Sequence, residues 1–208
     1  MRLRNVKNKE MIIDSCDILI KDPASFKGKW LSLFDNTNPI YIEIGMGKGD
    51  FIIENAKKYP NINFIGIEKY DSVIVRAIEK LPESINNLKF VRMDARNIEE
   101  IFDREIDRIY LNFSDPWPKD RHARRRLTSK EFLDRYENLF KNQKEIHQKT
   151  DNRGLFEFSI QSLVNNDYKI EDISLDLHNS NRDNIIMSEY EKKFVKNNNT
   201  IYYLVAKK

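Results

Sequence analysis

The 208-residue chain predicts a single α/β domain built on a mostly parallel sheet with helices on both faces. Three observations lead there. Short β-branched runs alternate with stretches of helical period along most of the length. The first such run ends in a glycine cluster, Glu43-Ile-Gly-Met-Gly-Lys-Gly49, as a strand-to-helix turn beside a ligand would. Hydrophobic residues make up 40% of the chain, with only six Gly and six Pro, so it can build one core and is neither linker-like nor collagen-like.

The elements follow in order. Residues 8–20, with Met11, Ile12, Ile13, Ile18 and Leu19, predict a short helix, and residues 1–35 together read as a basic, partly helical N-terminal extension. Residues 40–44 form a first strand, and Phe51, Ile52, Ile53 and Ala56 share one helical face after it. Residues 62–67 give a second strand. Val73, Ile74, Ala77, Ile78 and Leu81 then follow at helical spacing until Pro82 stops them. A third strand is expected at 88–93, a short helix at 97–103 and a fourth strand at 106–113. Thr128 and Glu131 have capping-box spacing for a helix bearing Phe132, Leu133, Tyr136, Leu139 and Phe140. A polar fifth strand near 145–149 precedes a helix over 152–165. Strands near 168–177 and 200–206 have little helix between them, which predicts antiparallel pairing at one edge of a seven-stranded sheet. No repeat or flexible linker divides the chain, so 1–208 reads as one domain.

Composition excludes several classes. Cys16 is the one cysteine, so no internal disulfide forms and a reducing compartment fits. No segment approaches the ~20 apolar residues of a spanning helix, and the start does not read as a signal peptide, so a cytoplasmic location with no membrane partner is expected. His122, His147, His178 and Cys16 have no ligand spacing, so no metal site is expected. The net charge of +3 conceals strong local imbalance. Residues 119–130 hold Lys119, Arg121, Arg124, Arg125, Arg126 and Lys130 against Asp120, or +5, and residues 1–9 hold Arg2, Arg4, Lys7 and Lys9, or +4, leaving −6 on everything else.

Open α/β sheets bind ligands beyond the carboxyl ends of their strands. Those ends here carry the 43–49 loop, Glu68, Asp94 and Ser114-Asp115-Pro116. The loop spacing is G-x-G-x-G, which fits neither the P-loop nor the dinucleotide fingerprint. Glu68 is placed to accept from both hydroxyls of a ribose, and Asp94 from an adenine amino group. Glu43 suits a sulfonium or ammonium and repels a pyrophosphate, which favours S-adenosylmethionine over NAD. Any one of these acids alone reads equally well as a solvated strand end; together they describe a cofactor crevice. The prolines of Asp115-Pro-Trp-Pro118 hold Asp115 at its mouth. The arginine-rich run that follows has the chemistry to bind phosphate and stack on bases, so a polyanion such as RNA is the expected partner.

These residues resemble the bacterial tRNA (guanine-N7-)-methyltransferases. The resemblance covers essentially the whole chain and is carried by Glu43–Gly49, Gly66-Ile-Glu68, Tyr110-Leu-Asn-Phe-Ser-Asp-Pro-Trp-Pro-Lys119, Arg121-His122 with Arg124 to Arg126, Lys149-Thr-Asp-Asn-Arg-Gly154, and Ser188-Glu-Tyr-Glu191. It implies a class I methyltransferase (Rossmann-like) fold and S-adenosylmethionine as donor. The implied acceptor is the variable-loop guanosine of tRNA, conventional position 46. It further implies that Glu43, Gly45, Gly47, Gly49, Glu68, Asp94 and Asp115 line the donor site, with Asp115 as the catalytic carboxylate. Lys119, Asp151, Ser188, Glu189, Tyr190 and Glu191 would handle the acceptor, and Arg121, His122, Arg124, Arg125 and Arg126 the RNA backbone. Departures from the family pattern are Ser188 in place of the usual Thr, Asn142-Gln143-Lys144 in place of a glycine-rich turn, and the polar Gln148. Methylation of an exocyclic amine in RNA, a catalytically silent RNA-binding module and an NAD-dependent oxidoreductase are the alternatives. A monomer or a homodimer is expected.

Overall fold

A computed structural model describes residues 8–183 and 185–208. The basic residues Arg2, Arg4 and Lys7 of the expected amino-terminal arm lie outside them. The strands are β1 (Leu19–Ile20), β2 (Ile40–Ile44), β3 (Asn63–Glu68), β4 (Leu88–Arg92), β5 (Arg108–Asn112), β6 (Glu145–Thr150), β7 (Lys169–Ser174) and β8 (Tyr202–Lys207). The helices are α1 (Lys9–Asp14), α2 (Asp50–Lys58), α3 (Asp71–Ile78), α4 (Lys130–Tyr136), α5 (Arg153–Asn165) and α6 (Glu189–Lys196). The strands form one sheet in the order β1-β4-β3-β2-β5-β6-β8-β7. Pairing is parallel from β1 across to β6, and β8 runs antiparallel to both β6 and β7. The order reverses at β2, between β3 and β5, and this is the switch point where a doubly wound sheet opens a crevice.

Strand alternation builds two cores from one sheet. Ile40, Ile42 and Ile44 of β2, with Ile109, Leu111 and Ile146, pack against Phe132, Leu133 and Tyr136 of α4 and Phe156 and Leu163 of α5. The other face carries Phe64, Phe90 and Tyr110 under Phe51, Ile52 and Ile53 of α2 and Ile74 and Ala77 of α3. Glu43, alternating with the isoleucines, lies on this second face.

The seven expected strands are present, and β1 is an eighth. Its two residues pair with Phe90 and Val91 of β4, and a stretch that short has no period to read. The helix expected over residues 8–20 is confined to α1, because the chain turns after Asp14 to deliver Leu19 to the sheet. The short helix at 97–103 is instead a 3-10 turn over Ala95–Glu100, capped by Asp94. The carboxyl end of the extension belongs to the core: Trp30 is fully buried, its indole N–H donates to the Ile101 carbonyl at 2.7 Å, and Glu105 accepts from the Gly28 and Trp30 N–H groups.

One capping assignment moves. Thr128 is buried, and its hydroxyl lies 2.7 Å from that of Ser159, which itself donates to the Leu155 carbonyl. Ser129 is the N-cap residue of α4 and makes no side-chain capping bond. The capping box belongs to α6, where Ser188 accepts from the Glu191 N–H and Glu191 accepts from the Ser188 N–H.

Candidate active site

The glycine loop leaves β2 and is pinned to the next strand by its own backbone, with the Gly45 and Met46 N–H groups donating to the Ile67 carbonyl at 2.8 and 3.0 Å. Gly47 has φ +57 and donates its N–H to Glu68 Oε2 at 3.1 Å; a Cβ there would meet open space. Gly49 has φ +77 and a Cβ would stand 2.9 Å from that of Ala77, so the turn into α2 requires glycine. The Gly45 and Gly47 surface is thus bare backbone facing a void, able to lie against a ligand.

Four expected carboxylates sit around this loop. Glu43 is only 2% exposed. Asn112 of β5 donates to its Oε1 at 2.8 Å, while its Oε2 is buried with no partner among the described residues. Burial raises its pKa to about 8, with the Asn112 bond and the Lys149 charge opposing. Glu68 accepts from the Lys69, Tyr70 and Gly47 N–H groups, yet burial still raises its pKa, and the charge of Asp115 adds to the rise. Glu68 and Asp115 therefore lie near enough for their charges to repel. Asp94 is held well below the usual carboxylate range, first by its bonds to the Arg96 side chain, and it also accepts from Lys69.

Asp115 is exposed at the crevice mouth in a strained turn. Phe113 and Trp117 on either side of it have φ +52 and +42, a region costly for side-chain-bearing residues. Beyond the turn, a 3-10 helix over Asp120–Arg125 carries the basic run. Arg121, Arg124 and Arg125 are exposed, Arg125 lies 4.8 Å from the Trp117 ring, and His122 meets the same ring edge-on at 5.8 Å. Arg126 differs from the RNA-facing role expected of it: it turns inward and is 8% exposed. Lys119 is exposed and caps that 3-10 helix through its carbonyl, which accepts from the His122 N–H at 2.8 Å.

Of the expected acceptor residues, Ser188, Glu189, Tyr190 and Glu191 gather at the start of α6, Asp151 meets them through Tyr190, and Lys119 stands apart at the 3-10 helix. Glu189 bonds Lys48 of the glycine loop at 2.8 Å and also Lys193, and these bonds lower its pKa to about 2. Tyr190 is 44% exposed, its hydroxyl lies 3.4 Å from Asp151, and its ring stacks on Phe194 and meets Phe113 at a tilt of 48°. Ser188 and Glu191 are engaged in the capping box. Glu191 is fully buried against Lys149 and accepts from it through both oxygens at 3.1 Å, with His178 at 2.9 Å.

Sequence reasoning missed three contributors: Asn112, which aligns Glu43; Lys48, which joins the glycine loop to α6; and Lys149, the buried cation between Glu43 and Glu191. The signal for Lys149 was the polarity of the fifth strand: His147 and Lys149 point into the α2 face beside Tyr110 and Asn112, where a cavity of about 200 Å³ opens. Among the described residues no group of three or more His, Cys, Asp or Glu could hold a metal ion, and no helix is long and apolar enough to cross a membrane.

A doubly wound sheet with a glycine loop at its switch point and an acidic crevice at its strand ends defines a class I methyltransferase. Residues 37–204 match a family described as "Putative methyltransferase". The chain is 52% identical to the tRNA (guanine-N(7)-)-methyltransferase of Lachnoclostridium phytofermentans over 209 residues, covering 99% of this chain and 98% of the relative. It is 50% identical to that of Bacillus subtilis over 187 residues, covering 89% and 88%. It belongs to the tRNA (guanine-N7)-methyltransferase family. Solved methyltransferases share the fold at low identity. An antibiotic-related methyltransferase aligns with TM-score 0.65 at 19% identity, covering 86% of this chain and 92% of that one. The 16S rRNA (adenine(1408)-N(1))-methyltransferase of Catenulisporales acidiphilia, solved with its cosubstrate SAM, aligns with TM-score 0.60 at 11% identity, covering 86% and 89%.

Proposed function

We propose that this enzyme transfers a methyl group from S-adenosylmethionine to N7 of the variable-loop guanosine of tRNA, conventional position 46. The observation that carries the reading is Glu43. A buried carboxylate oxygen without a partner is costly, and beside a bare glycine backbone it is suited to a cationic group of the donor. Glu68 would take the ribose hydroxyls. Asp94, already bonded to Arg96 and Lys69, would meet the adenine edge with its remaining acceptor capacity. The residues present therefore fit S-adenosylmethionine, which when bound supplies an electrophilic methyl on a sulfonium.

Guanine N7 carries a lone pair and no proton, so the enzyme has no proton to remove before attack. Its work is alignment, and proximity and orientation carry much of the rate. The methylated base is left with a positive charge. Asp115, exposed in its strained turn, would stabilise that charge as it develops and accept from the guanine N1 or N2 protons. Tyr190, half-exposed beside Phe113, would border the base at this mouth, with Asp151 3.4 Å from its hydroxyl. Side chains read the major groove of an A-form helix poorly, so the base would be taken from loop structure or extruded. Arg121, Arg124 and Arg125 would hold phosphates. A tRNA substrate fits the expected cytoplasmic location.

The test is incubation with labelled donor and total tRNA, followed by nucleoside analysis. 7-Methylguanosine at the variable loop is expected, and Asp115→Asn should lower turnover by about 10² to 10³ while donor binding persists. Label on an exocyclic amine, or full turnover by Asp115→Asn, would overturn the assignment.

A further inference from the structure

Arg126 is the last arginine of the basic run, yet its guanidinium is enclosed. Its Nε donates to the Pro116 carbonyl at 3.0 Å and to the Trp117 carbonyl at 3.3 Å, and its Nη2 donates to the Trp117 carbonyl at 3.0 Å. The flat face of the group lies 4.3 Å from the Phe158 ring of α5. Among the described residues no carboxylate pairs with it. A guanidinium stays charged in any protein setting, so this cation is satisfied by two carbonyls and a ring alone.

Those two carbonyls belong to the residues directly after Asp115. The turn they form is costly: Phe113 and Trp117 both hold positive φ, and each such residue stores on the order of 1 kcal/mol or more. Such a backbone persists only where its surroundings fix it. Arg126 does this with a planar fork that reaches both carbonyls and is itself held by α5. Lysine, a single point donor, would not reproduce it. The neighbouring Arg125 points the other way, exposed over the Trp117 ring.

We infer that Arg126 is a positioning residue that holds the Asp115-Pro-Trp-Pro turn in its reacting geometry, and is not one of the phosphate contacts of the basic run. The inference rests on the reading of Asp115 as the carboxylate at the reacting centre. Arg125 and Arg126 thus divide the work, one meeting RNA and the other setting the catalytic turn.

Steady-state turnover and the salt dependence of tRNA binding separate the two roles. Arg126→Lys should lower kcat by about 10- to 100-fold, the scale of a misplacement near 1 Å. KM for tRNA should stay within about twofold, and log Kd against log salt should keep the wild-type slope. Free guanidinium ion should restore part of the turnover of Arg126→Ala. Arg125→Ala should instead weaken tRNA binding and flatten the slope by roughly 0.7 to 0.9. Retention of kcat by Arg126→Lys, or a flattened slope in it, would overturn the inference; should Arg126→Ala fail to fold, the lysine variant decides alone. Wild-type turnover by Asp115→Asn would instead overturn the reading of Asp115, a result independent of the salt slope.

Discussion

Replacing Glu43 with Gln tests the donor site through its proton. The exchange keeps size and the bond from Asn112 but removes the charge. The folded chain holds the Glu43 proton until about pH 8, because the side chain is buried, whereas the unfolded chain releases it near 4.5. Between those values the folded state binds more protons, so its stability falls as pH rises, by about 1.4 kcal/mol for each pH unit. From pH 5 to pH 7 this one group costs the donor-free enzyme on the order of 2–3 kcal/mol. Glu43→Gln should abolish that slope, matching wild type near pH 5 and exceeding it by this amount at pH 7. Donor binding should show the converse. A cation beside Glu43 requires the carboxylate, so wild-type affinity should climb up to tenfold for each pH unit toward pH 8. The variant should lack that climb and bind about 10- to 150-fold more weakly at pH 8, the worth of one charge-assisted hydrogen bond at about 1.5–3 kcal/mol. Denaturant unfolding and calorimetric donor titration at pH 5, 6, 7 and 8 provide both curves. Parallel stability curves for the two proteins, or equal donor affinity at pH 8, would refute the reasoning.

Three further outcomes are expected. Lys149→Met should destabilise the fold by about 3–5 kcal/mol in denaturant unfolding, because it leaves the buried Glu191 carboxylate without its lysine partner, and adding Glu191→Leu should recover much of the loss. Gly49→Ala should cost about 2–4 kcal/mol, from the positive φ and the 2.9 Å approach to the Ala77 Cβ, and donor affinity should fall with it. Ser188→Ala should cost about 1 kcal/mol of stability through the lost cap of α6, with a larger effect on the KM for tRNA than on donor binding.

Much of this was legible in the sequence, for physical reasons that also mark the limits. Alternation at residues 40–44 and the glycines after it located the first strand and its ligand-facing turn, because strand period and backbone freedom are local properties; that this strand is the switch point depends on the sheet order. The acids at successive strand ends followed from that frame. Arg126 was misread because a charge run gives composition and not direction; which arginine turns inward is decided by Phe158, far along the chain. Thr128 was misread for the same kind of reason, since burial against Ser159 claims the hydroxyl that its spacing offered to a cap. The Ser188–Glu191 signature was visible, but its use as a capping box depends on α6 sealing Glu191 over Lys149. Lys149 was visible as part of a motif, but its role was not, because its partner Glu191 lies 42 residues away.

The place of β8 between β6 and β7 bears on how the enzyme is made. β8, which follows β7 in the sequence, is an interior strand of the sheet, and among the described residues β7 reaches the sheet only through it. Before β8 has been made, the half-sheet from β1 to β6 can form, but β7 lacks the strand it pairs with and the edge of β6 is open. α6, a few residues before β8, supplies the Lys48 and Lys149 partners, so its side of the crevice forms after the half-sheet from β1 to β6. The nascent chain should therefore build the glycine-loop half of the crevice before the half that α6 supplies.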